Sequence, residues 1–123
     1  MFDPVTPAGW PGGVRPPGAP GWERAVTNWL LDQVPPEYRS YPVLRHHPVL
    51  LARFANLHIE ACQVTVREGL SRARGELREV ADEGAVEAAV QAFQREQARL
   101  LGVRRAAGLV EEALRGRQFR ARL

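Results

Sequence analysis

The chain has 123 residues, 45% of them hydrophobic and 25% charged, enough for one small domain with a modest core. No apolar run approaches the ~18 residues of a membrane span, so no membrane partner is expected. The single cysteine, Cys62, excludes an internal disulfide and points to a reducing, cytoplasmic setting. The net charge of +3 is mild, and all 17 basic residues are arginine, so each Arg is a weaker signal for nucleic acid than the calculated pI implies.

Residues 1–20 form an irregular tail. The first 21 residues hold six prolines and five glycines, a composition that favours turns and polyproline II over a packed core. Met1-Phe2-Asp3-Pro4 lacks the basic and apolar regions of a secretory signal. Trp10 in such a tail is useful only where it docks, on the chain's own helices or on a partner. Arg15-Pro16-Pro17 resembles half of a proline-rich ligand, a common tripeptide of low specificity.

Residues 21–34 read as a first helix, with Trp22, Val26, Trp29, Leu30 and Gln33 on one face. Pro35-Pro36 stops it. It is too short to be stable alone, so it must lie on other elements. Residues 35–47 are a connector of single turns, each proline suited to the first position of a turn. Tyr38, Tyr41, Val43 and Leu44 are expected to pin it to the core.

Two long amphipathic stretches follow, 48–80 and 85–115, joined by an acidic turn at Asp82-Glu83-Gly84. They read as an antiparallel hairpin, each helix spanning roughly 45–50 Å at ~1.5 Å per residue. The first carries two apolar seams up to Val66. One is Leu50, Phe54, Leu57, Ala61 and Val64; the other is Ala52, Ala55, Ile59, Cys62 and Val66. A helix apolar on two sides is expected to be covered on two sides. Beyond Val66 one seam continues through Leu70, Ala73, Leu77 and Val80, the spacing of a two-helix contact. The second helix answers with Ala89, Phe93, Leu100, Val103, Ala107, Val110 and Leu114.

The expected fold is therefore all-α: a long antiparallel helical hairpin, a short N-terminal helix packed on its open end, and the Pro/Gly-rich tail. The helical domain spans residues 21–116, and residues 117–123 form an Arg-rich end. The region 67–99 is expected to project as a two-helix arm. Gly69, Gly75, Gly102 and Gly108 interrupt the helices and receive no role.

No constellation for catalysis, cofactor or metal stands out. His47 and His58 lie about 16 Å apart along a helix and cannot share a metal. His58-Ile59-Glu60 imitates a zinc-deaminase H-x-E, but the P-C-x-x-C half is missing. Cys62 reads as a buried structural thiol with no basic neighbour to activate it. Ser40 and Ser71 lack triad context, and no glycine run has the setting of a phosphate loop. The remaining candidates are a stripe of Arg67, Arg74 and Arg78 on the arm, and the C-terminal run Arg115, Arg117, Phe119, Arg120 and Arg122. Against the stripe stands the i,i+4 pairing of Glu68, Arg72 and Glu76, which a solvated helix needs anyway. The C-terminal run combines charge with an aromatic, as phosphate contact and base stacking require.

Residues 9–54, with the run GWPGGVRPPGAPGWERAVTNWLLDQVPPEYRSYPVLRHHPVLLARF, resemble small helical proteins of high-GC actinobacteria. That resemblance implies no activity and no residue role. The functional expectation is a non-enzymatic helical interaction or adaptor protein, self-associating or binding another protein. The alternative is an RNA- or DNA-associated protein using the Arg-rich end.

Overall fold

A computed structural model describes residues 4–119. Its elements are α1 (Trp22–Asp32), a 3-10 turn (Pro36–Ser40), α2 (Pro42–His46), α3 (Pro48–Leu77) and α4 (Glu83–Leu114). Among the described residues there is no strand, and no helix is long and apolar enough to cross a membrane.

Pro36, Pro42 and Pro48 each open a helical turn, where a missing N–H costs nothing. Of the connector residues only Leu44 is buried. Tyr38 is half-buried, while Tyr41 and Val43 are about half exposed and so do not anchor the segment as expected.

The α3–α4 hairpin is the dominant contact. Its turn differs from the sequence expectation. The α3 helix stops at Leu77, with Val80 and Ala81 both donating N–H to the Leu77 carbonyl. Val80 is 74% exposed and leaves the seam. Asp82 is the N-cap of α4, its carboxylate accepting from Ala85 N at 2.8 Å. Glu83 and Gly84 thereby belong to the first helical turn, with Glu83 placed where the helix dipole favours an acid.

The core lies at the open end. Val26 and Leu30 of α1 meet Leu51, Ala52 and Ala55 of α3 and Val110 and Ala113 of α4. Trp29 bridges to a second cluster built on Ile59, Val66, Leu100 and Ala107. Ala52, Ala55 and Ala107 are fully buried, and their small side chains let three helices approach closely. Further along, a Cβ on Gly69 would stand 3.0 Å from the Phe93 ring, so this glycine sets the local α3–α4 spacing.

The N-terminal segment is folded onto the body. Turns close between Pro7 and Trp10, Pro11 and Val14, and Pro16 and Ala19. Gly9 has φ +88, and a Cβ there would meet Arg105 Cδ at 2.8 Å. Arg15 donates from Nη1 to the Pro20 carbonyl at 2.7 Å, tying the segment to the start of α1.

Candidate functional site

Packing takes one sequence candidate, Trp10, off the surface. Trp10 is 7% exposed and sits in the main core. Its Nε1 donates to the carbonyls of Val14 and Arg15, both at 3.2 Å, and its ring meets Phe119 edge-on at 6.5 Å. The residue is a structural anchor, not a motif held out for a partner. Burying a large aromatic surface outweighs leaving it in water.

Three of the basic candidates, Arg74, Arg115 and Arg117, are tied to acids. Arg74 reaches across the arm to Glu87 in a two-pronged contact of 2.8 and 3.1 Å. That hydrogen bond, with the attraction of the guanidinium, holds the Glu87 carboxyl below the usual carboxylate range. Arg67 and Arg78 are exposed, Arg78 beside Arg74 in a shallow depression with Ala81, Val86 and Glu87. Arg115 donates to Glu111 at 3.0 Å, and Arg117 pairs with Glu112. The Arg117 guanidinium also lies 4.7 Å over the Phe119 ring. Phe119 is thus held between Trp10 and Arg117, leaving less of it for stacking a base. Arg120 and Arg122 lie outside the described residues.

Between α3 and α4 sits a polar network, buried at Asn56 and Glu111 and open to solvent at its arginines, that the sequence reading missed. Asn56 Nδ2 donates to the Ala107 carbonyl at 3.1 Å and to Glu111 Oε1 at 2.9 Å. Arg53 Nη1 approaches Glu111 Oε2 at 3.4 Å, and Arg104 bridges to Glu60 at 3.6 Å and to Gln63 at 2.8 Å. Glu111 is buried and receives three donors, which fits a device for fixing helix register. The signal available in sequence was an Asn inside an apolar stretch.

Cys62 also differs from expectation. It is half-buried, and its Sγ lies 3.5 Å from His58 Nε2. The i,i+4 spacing that joins them was legible in the sequence. The Tyr38 ring leans on His58 at 6.4 Å. Among the described residues no three His, Cys, Asp or Glu side chains gather as metal ligands.

The largest departure is the outer face of α3. Leu50, Phe54, Leu57 and Val64 are 45, 48, 54 and 48% exposed, and Ala61 between them is exposed too. Coverage on two sides was the expectation. Instead α1 and α4 both pack on the arc centred on Ala52, Ala55 and Ile59. In a three-helix body one broad arc, ≳100° wide, touches both neighbours, so the opposite seam stays free. An aromatic chain borders it: Tyr38 meets Phe54 at 6.3 Å and Tyr41 at 6.1 Å.

No protein-family model, curated protein or solved structure matches the chain. Its most specific feature is five exposed apolar residues at 4-3-4-3 spacing on a continuous helix.

Proposed function

We propose that the chain is a non-enzymatic helical interaction protein whose docking surface is the outer face of α3. The observation that carries this reading is the exposed line Leu50–Phe54–Leu57–Ala61–Val64. Its spacing is that of a coiled-coil seam, which a helix presents to another helix. The six large exposed side chains Tyr41, Val43, Leu50, Phe54, Leu57 and Val64 are each about half exposed. Together they amount to an area on the order of 500 Å², toward the upper end of patches on monomers.

The nucleic-acid reading draws less support. Arg115 and Arg117 are engaged with Glu111 and Glu112, and Arg74 with Glu87. A phosphate would have to displace those carboxylates.

A photo-crosslinking residue placed at Leu57 tests the reading in the native host, with the same residue at exposed Glu79 as control. The reading expects protein adducts at position 57 and none at position 79. Absence of adducts at 57, or equal adducts at both positions, sinks it.

A further inference from the structure

We infer that the occupant of the α3 outer face is the same face of a second copy, running antiparallel. This inference rests on the interaction reading above and names its partner.

The face is self-complementary in one register. With Phe54 and Ala61 at a and Leu50, Leu57 and Val64 at d, antiparallel seams set each a against a d of the other helix. Phe54 then meets Leu57 of the other copy, and Leu50 meets Ala61, large against small. On one flank lie Arg53 and Glu60, 3.9 Å apart within the chain and both 42% exposed at the side chain, so a second copy would add to this pair rather than meet free charges. The same two-fold axis that joins Phe54 to Leu57 brings Arg53 of one copy beside Glu60 of the other, twice. The opposite flank carries His58 and, leaning on it, Tyr38. It brings an aromatic border to its own symmetry mate.

The parallel alternative lacks this match. It would set Arg53 against His58, Glu60 against Thr65, and Arg67 against Arg72, a like-charge contact. Charge order along the flank thus favours the antiparallel dimer. An isologous contact also closes on itself, which accounts for one apolar face being tolerated on an otherwise charged surface. The exposed apolar area of each copy, on the order of 500 Å² with Tyr41 and Val43 beyond the α3 seam included, approaches the ~800 Å² per partner of a standard interface once the charged flank is added.

Paired cysteines test partner and register together, in a Cys62→Ala background on the full chain. In the antiparallel dimer Leu50→Cys and Ala61→Cys chains form disulfide dimers when mixed. Neither does so alone, because like positions lie about 16 Å apart along the axis. Self-crosslinking of each variant alone overturns the antiparallel arrangement. A chain that sediments as a monomer up to high concentration, with no crosslink in the mixture, overturns the second copy altogether. In that case adducts to other proteins at position 57 still uphold the interaction reading, whereas their absence removes both. Leu57→Glu is expected to turn the dimer into a monomer with unchanged far-UV circular dichroism. A dimer that survives this substitution also overturns the proposal.

Discussion

Asn56 joins the two long helices through a single amide. Its Nδ2 serves the Ala52 and Ala107 carbonyls and the Glu111 carboxylate. Asn56→Ala removes a donor from a buried acid and opens a small void. It is expected to cost about 1–3 kcal/mol, read as a lower urea midpoint with an unchanged slope. A loss below ~0.5 kcal/mol would mean that Arg53 and Arg115 suffice for Glu111. Trp10 makes a second residue-scale case. With its indole in the core and its Nε1 doubly accepted, Trp10→Ala is expected to destabilise the fold by about 3–5 kcal/mol. A Trp merely resting on the surface would change the unfolding midpoint little. The sequence showed that Trp10 had to dock somewhere. It did not show where, because the turns that deliver it depend on positive φ at glycines such as Gly9 and on the Arg105 surface that receives them.

At the scale of elements, the prolines that open and stop the short helices were legible, while the Asp82 cap and the ends of the hairpin were not. A seam extended through Val80 because apolar spacing alone cannot report that Leu77 ends the helix and that Asp82 starts the next. Asp82→Ala is expected to cost about 1 kcal/mol and to speed amide exchange in the first turn of α4. The arm beyond Val66 depends on Ala73, Val86 and Val90 for its buried contacts. It adds ion pairs from Arg74 to Glu87 and from Arg99 to Glu96 at 2.5 Å. Both carboxyls titrate below their ordinary value, chiefly through the hydrogen bond from the arginine. Groups lowered in the folded state stabilise it above the unfolded pKa, about 4.3 for Glu, and that contribution disappears as pH falls through the folded value. Amide protection factors at the turn end of α3 and α4 are therefore expected to fall below about pH 4 before those around Leu51 and Val110 do. Both pairs are exposed, so the effect is small and salt-sensitive. A uniform loss across the molecule would contradict it.

For the whole molecule, the sequence made both seams of α3 visible but not which one would be covered. The answer turns on side-chain size. Ala52, Ala55 and Ala107 occupy the inner arc because three helices converge there, and larger residues would hold them apart. Phe54 and Leu57, the bulkier pair, are left outside. Hydrophobic periodicity records that a face is apolar, not what lies against it. The polar network around Glu111 escaped for a related reason: Arg53, Asn56 and Glu111 are up to 58 positions apart in the chain and only the hairpin register unites them.

If a second copy covers the outer face of α3, mass action governs the stability of the fold. A dimer that unfolds with dissociation must melt at a temperature that rises with protein concentration. Thermal unfolding of the wild-type chain and of Leu57→Glu, followed over about two decades of concentration, is the decisive measurement. The expected midpoint climbs with concentration for the wild type and stays level for the variant. A wild-type midpoint that does not move, or a variant that climbs in parallel with it, would rule out a second copy on this face.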